Sequence, residues 1–122
     1  MPTVAVIGAS SDRRRFGNKA VRAFQSLGWT VYPVHPREAI VEGIPAFRSI
    51  RDVPRPLDCV TLYVPPGAGI LLLENIAAAK PGRLYANPGA ESPELVERAK
   101  ALGLEPILEC SIRAIGADPN DF

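Results

Sequence analysis

Thr3-Val4-Ala5-Val6-Ile7-Gly8 is a continuous apolar run stopped by a glycine. Such a run suits a strand buried on both faces, near the middle of a sheet. The turn that follows, Gly8-Ala9-Ser10-Ser11-Asp12-Arg13-Arg14-Arg15-Phe16-Gly17, is made of small residues running into three consecutive arginines. From Gly17 to Leu27 the apolar residues Ala20, Val21, Phe24 and Leu27 fall at helical spacing, and Gly28 stands where a C-terminal cap belongs. A glycine lets the backbone approach a ligand closely, a helix start points N–H groups at it, and arginines supply positive charge. The segment therefore has the build of a polyphosphate site. Adjacent residues do not all face one ligand, so one or two of the three arginines are expected to engage it.

Outward from this unit, Thr30-Val31-Tyr32-Pro33-Val34 is a second strand, and Pro33, which lacks a ladder donor, directs it to a sheet edge. The stretch from Ile40 to Pro56 is less regular, with a short strand around Ile44 to Phe47 and a helical turn begun by Ser49. Leu57 to Val64 is again strand-like and is stopped by Pro65-Pro66-Gly67. A helix is expected from Ala68 to Ala79, with Leu72, Leu73, Ile76 and Ala77 inward, then a short strand at Arg83 to Ala86 and a loop at Asn87-Pro88-Gly89-Ala90. The next helix has Ser92 as N-cap, Pro93 at its first position, Glu94 in its first turn and Gly103 just past its end. A last strand spans Glu105 to Leu108, and residues 116–122 read as a weakly structured tail.

Strands alternating with helices at these lengths imply right-handed βαβ units. The expected fold is α/β: a single Rossmann-like domain over residues 1–122, with a parallel sheet of about five strands and helices on both faces. If the Thr3 strand is central, the strands at Thr30 and Cys59 flank it and open a crevice at their C-terminal ends. Its walls would be Gly8 to Arg15, His35 to Arg37 and Val64 to Pro66, with Asn87 to Ala90 as the far lip.

The 122 residues, 47% of them hydrophobic, suffice for one domain with a core. A net charge of +1 gives no footprint for nucleic acid or an anionic membrane. No apolar run approaches the ~20 residues of a membrane span, and the chain enters its first strand without the charged and apolar regions of a secretory signal. Cys59 and Cys110 lie in or beside apolar strand segments with no CxxC spacing, which argues against a metal site or disulfide scaffold and makes a reducing cytoplasm the expected compartment. Cys110 follows the last strand with no cation adjoining it in sequence, and a structural role is the preferred reading.

The dinucleotide fingerprint G-x-G-x-x-G is not met: Gly8 and Gly17 are too far apart, and Ser10 replaces the middle glycine. NAD sites also place an acid at the end of the second strand, where this chain has His35-Pro36-Arg37. A neutral or cationic group there suits a phosphorylated ribose. The residues themselves leave NADP and coenzyme A both open.

Five segments, Val6-Ile7-Gly8-Ala9-Ser10, Pro33-Val34-His35-Pro36, Gly43-Ile44-Pro45-Ala46-Phe47, Leu62-Tyr63-Val64-Pro65-Pro66 and Asn87-Pro88-Gly89-Ala90, occur in order between the right elements. Together they resemble the CoA-binding domain family, which includes the N-terminal domain of the succinyl-CoA synthetase alpha subunit and small stand-alone proteins. The resemblance runs from about Val4 to Arg113. It implies coenzyme A or an acyl-CoA as ligand. The phosphates would lie at Gly8, Ala9, Ser10, Ser11, Arg13, Arg14, Arg15, Phe16 and Gly17, and the adenosine end at Val34, His35, Pro36 and Arg37. Val64, Pro65 and Pro66 would line the crevice, and Asn87 and Gly89 its lip. His35 stands where the family often has asparagine. The domain carrying the ligase's phosphorylated histidine has no counterpart here, so acyl-CoA synthesis by this chain alone is not expected.

No Ser-His-Asp arrangement, paired carboxylates or metal-ligand cluster suggests an enzyme. The expected role is a non-catalytic binding, carrier or sensing module for a small nucleotide ligand. Its rivals are an NAD(P)-binding oxidoreductase or redox sensor, and a partner subunit of a split acyl-CoA ligase. A homodimer or a ligase-type partner chain is compatible with the sequence.

Overall fold

The computed structural model describes residues 2–122. In chain order its elements are β1 (Thr3–Ile7), α1 (Phe16–Ser26), β2 (Thr30–Val34), β3 (Ile40–Val41), β4 (Ile44–Pro45), β5 (Cys59–Leu62), α2 (Pro66–Ala79), β6 (Arg83–Ala86), α3 (Pro93–Ala101), β7 (Pro106–Ile107) and α4 (Ser111–Ala114). Short 3-10 turns follow Ser49 and Asp118. Five strands form one parallel sheet in the order β2-β1-β5-β6-β7, and β3 and β4 make a small antiparallel pair. This is a Rossmann-like α/β fold, as the alternation of apolar runs and amphipathic helices predicts.

Alternation along the strands sorts the core onto two faces. Ala5 and Ile7 of β1, with Val60 and Leu62 of β5, pack against Leu73 and Ile76 of α2 and Leu95 and Ala99 of α3. Val4 and Val6 face the other way, against Ala20, Val21 and Phe24 of α1 and Ile112 of α4. The continuous apolar run of β1 is explained: both of its faces are covered.

β2 is an edge strand, and the geometry shows how Pro33 is tolerated. The Phe47 N–H donates to the Pro33 carbonyl at 2.8 Å, so that residue's polar groups point away from β1, where no ladder donor is needed. His35 N–H in turn donates to Phe47 O at 2.9 Å. The segment after β4 thus lies along β2 through a parallel bridge between Val34 and Phe47.

Several elements differ from the sequence expectation. α2 begins at Pro66 rather than Ala68, because a proline at the first helical position needs no N–H partner and already has a helical φ. β5 and β7 are shorter than their apolar runs. Ser111–Ala114 adds a helical turn, α4, too short to show periodicity. The tail is not weakly structured: residues 119–121 form a 3-10 turn, Pro119 is buried, and the Phe122 ring lies under the Arg22 guanidinium of α1. No helix of the described residues is long and apolar enough to cross a membrane.

Candidate functional site

The C-terminal ends of β1, β2 and β5 carry Ile7-Gly8, Val34-His35 and Tyr63-Val64 into the walls of one crevice of about 720 Å³. A second recess of about 460 Å³ shares the wall of Gly8, Arg15, Tyr63 and Val64 and ends at Pro88, Gly89 and Ala90. Both volumes fall in the range of small-molecule sites. Topology explains the location. β2 and β5 lie on opposite sides of β1, and their crossover helices α1 and α2 pack on opposite faces, so the chain parts at the strand ends.

The turn after β1 depends on two glycines. Gly8 has φ +90, and a Cβ there would stand 2.6 Å from the Tyr63 carbonyl oxygen. A Cβ on Gly17 would collide with the Gly8 carbonyl, so the start of α1 approaches the strand end more closely than any side chain permits. Within the turn, the Asp12 N–H donates to Ser10 Oγ at 3.0 Å, and Asn18 Nδ2 donates to the Ser10 carbonyl at 2.8 Å. Arg22 braces the same unit through Asn18 Oδ1 and the Arg13 carbonyl, at 2.7 and 2.9 Å.

Three arginines in a row have three different fates. Arg13 points toward Glu42, with Nε 3.5 Å from its carboxylate. Arg14 clasps Asp12 through its backbone and guanidinium N–H groups at 3.0 to 3.1 Å. The guanidinium bond, then the backbone bond, hold the Asp12 carboxyl at a pKa of about 2. Arg15 alone of the three lines the crevice, and it borders both recesses.

Arg15 is also the N-cap of α1, which has no side-chain cap and no acid in its first turn; α2, with Pro65 as its N-cap, likewise has neither. α3, whose residues line neither recess, contrasts: Ser92 Oγ accepts from Leu95 N–H at 3.0 Å, and Glu94 sits in the first turn. Both helix starts that meet the crevice are therefore free of side-chain caps and of acids, as suits an anion.

His35 turns an imidazole into a local cap. Its Nδ1 accepts from the N–H groups of Arg37 and Glu38, at 3.0 and 3.1 Å, which places the ring proton on Nε2. An asparagine oxygen makes the same kind of bond to the backbone two residues on. Histidine thus makes the turn contact that an asparagine side chain would make there.

Of the residues singled out in sequence, Gly8, Ser10, Arg15, Phe16, Gly17, Val34, His35, Pro36, Arg37, Val64, Pro65 and Gly89 line the crevice. Ala9 is instead buried in the core, Ser11 donates to Glu38 at 3.1 Å, Arg13 and Arg14 turn to carboxylates, and Pro66 starts α2. Asn87 lines neither recess. It is 1% exposed, its Nδ2 donates to Thr61 Oγ1 and the Leu62 carbonyl at 2.6 and 2.8 Å, and its Oδ1 accepts from Ser111 N–H at 2.8 Å. Its amide ties α4 to the sheet and is buried away from both recesses. Ser111 Oγ continues the network to the Tyr63 hydroxyl at 3.0 Å, fixing the ring that walls both recesses. Burial pushes that phenol up to about 12.

Arg48, Ser49, Ile50, Leu71 and Leu72 also line the crevice and were not anticipated. Arg48 was legible only through the pairing of Phe47 with Val34. Cys59 is a buried core residue whose thiol burial pushes up to about 12. At about pH 8 it is almost wholly protonated, so it should resist a brief iodoacetamide pulse in the native protein and react after unfolding, as read by mass spectrometry. Equal labelling in both states would contradict its placement.

A family model described as CoA binding domain matches residues 2–115. The chain belongs to the CoA-binding domain family. Among curated relatives of this CoA-binding domain, the alpha subunit of ADP-forming acetate–CoA ligase II from Pyrococcus furiosus is 36% identical over 63 residues, which are 51% of this chain and 14% of that subunit. The domain thus matches only a small part of that ligase subunit. A solved structure of a conserved hypothetical protein from Pyrococcus furiosus superposes with a TM-score of 0.85 at 29% identity, covering 93% of this chain and 99% of that one. The dinucleotide-forming acetyl-coenzyme A synthetase 1 of Ca. Korarchaeum cryptofilum superposes with a TM-score of 0.76 at 25% identity, covering 88% of this chain and 25% of the synthetase.

Proposed function

We propose that this CoA-binding domain holds coenzyme A or an acyl-CoA in the crevice at the C-terminal edge of the sheet, as a non-catalytic binding, carrier or sensing module. The observation that carries the reading is the convergence of two uncapped helix starts, the Gly8 turn and Arg15 on one recess. That arrangement suits a pyrophosphate. The family membership supports coenzyme A over NAD(P) as the ligand.

Calorimetric titration of the ligand-stripped protein with coenzyme A, NAD and NADP, in one buffer and salt, tests it. Coenzyme A should bind tightest; preference for NADP would favour an oxidoreductase or redox sensor instead. Arg15→Ala should weaken coenzyme A roughly 10-fold to 150-fold, the loss of a charged hydrogen bond of about 1.5–3 kcal/mol. Arg14→Ala, which removes a group already bonded to Asp12, should change affinity by less than about threefold. Equal losses in both variants would overturn the assignment of Arg15.

A second reading is supported by the likeness to a ligase alpha subunit. The domain would then complete an acyl-CoA ligase with other chains, and should co-purify with an ATP-grasp protein. Full coenzyme A affinity in the isolated chain, with no such partner recovered, would count against it.

A further inference from the structure

We infer that Arg48, which lines the same recess as Arg37 on the β2 side of the crevice, sets the preference of this site for a ligand carrying a terminal phosphomonoester. The inference rests on the coenzyme A reading above and names the residue that would recognise the 3′-phosphate.

The charged side chains lining the larger recess are Arg15, Arg37, Glu38 and Arg48, three cations against one carboxylate. Each of the other two arginines of the first turn has a carboxylate partner, and Arg15 lies 3.9 Å from Asp12. Among the described residues, Arg37 and Arg48 have no ion-pair partner. Glu38 already accepts from Ser11 Oγ and does not neutralise them through a bond. Two unpaired guanidinium groups at one recess repel each other unless an anion lies between them.

Placement separates this pair from the turn. Arg37 follows β2, the edge strand, and Arg48 follows Phe47, which pairs alongside Val34 beyond that edge. With strands about 4.8 Å apart, the backbone at Arg48 lies two strand spacings, roughly 10 Å, from the end of β1. Arg48 thus enters the crevice from beyond its β2 side, away from the Gly8 turn. A ligand with a pyrophosphate and, across a ribose, a phosphomonoester satisfies both positions. The phosphomonoester offers three terminal oxygens to two planar forks, the recognition for which guanidinium groups are suited.

The test is titration of wild type, Arg48→Ala and Arg48→Lys with coenzyme A and with 3′-dephospho-coenzyme A. Arg48 is exposed, so unchanged thermal midpoints should accompany all three proteins. The wild type should prefer coenzyme A by roughly tenfold or more, and Arg48→Ala should lose that preference while holding the dephospho form as before. Arg48→Lys should keep part of it. If the wild type holds both ligands equally, or Arg48→Ala weakens both alike or neither, the role of Arg48 is overturned and coenzyme A binding stands. If the wild type binds neither ligand, the coenzyme A reading itself fails and takes the role of Arg48 with it.

Discussion

Asn87→Ala should lower the unfolding free energy by about 3–4 kcal/mol. The substitution leaves three groups without their partner: the Ser111 N–H, the Leu62 carbonyl and the Thr61 hydroxyl. A buried donor or acceptor left unsatisfied costs about 1–3 kcal/mol, and Thr61 retains its bond to Ser111 Oγ at 2.8 Å, which limits its share. In a domain of this size the thermal midpoint should fall by roughly 10–20 °C. Urea unfolding with an unchanged m-value would show that the native state is what lost free energy. A change below about 1 kcal/mol would mean that the network is not a major stabilising element. Ligand affinity should fall as well, because Ser111 holds both Asn87 and the Tyr63 ring.

Gly17→Ala should be nearly as damaging, at about 3 kcal/mol, with a different signature. The new methyl would meet the Gly8 carbonyl, a backbone atom that cannot rotate aside, so the start of α1 has to move off the end of β1. The movement separates the helix N-terminus from the turn, so binding should drop by more than the stability change alone explains. Measured at a temperature where the variant is fully folded, coenzyme A affinity should still be reduced at least tenfold. Unchanged affinity there would show that the α1 terminus takes no part in holding the ligand. Gly28→Ala serves as contrast: its φ of +83 gives backbone strain, but no atom lies within 4 Å of the added methyl, and the crevice is distant in sequence and role.

The elements that the sequence made legible are those whose residues face an unambiguous environment. The unbroken run of β1 reports coverage on both faces, the spacing of Ala20, Val21 and Phe24 reports one buried helix face, and Ser92-Pro93-Glu94 marks the start of α3 through local bonds. The crevice followed from strand order, and strand order from alternation. What stayed hidden depends on contacts distant in sequence. Asn87 in a Pro-Gly loop reads like a ligand contact until its partners, 24 to 26 residues away, are seen. Arg13, Arg14 and Arg15 look equivalent on paper, and only the positions of Glu42 and Asp12 distinguish them. Arg48 comes beside the crevice through a single backbone bridge that no periodicity announces. Pro66 was misread because proline both stops a strand and begins a helix.

The pairing of Phe47 with Val34 also governs how copies of this protein can meet. An exposed strand flank is a template for another chain's backbone. Here Phe47 already occupies hydrogen-bonding positions on the outer side of β2, and Pro33 contributes no donor there. At the opposite flank β7 has two residues, one of them Pro106, so little backbone is presented. Neither margin offers a strand-length run of free donors and acceptors. Growth of the sheet by edge-to-edge addition is disfavoured at both ends, which leaves self-association to surfaces other than the sheet margins.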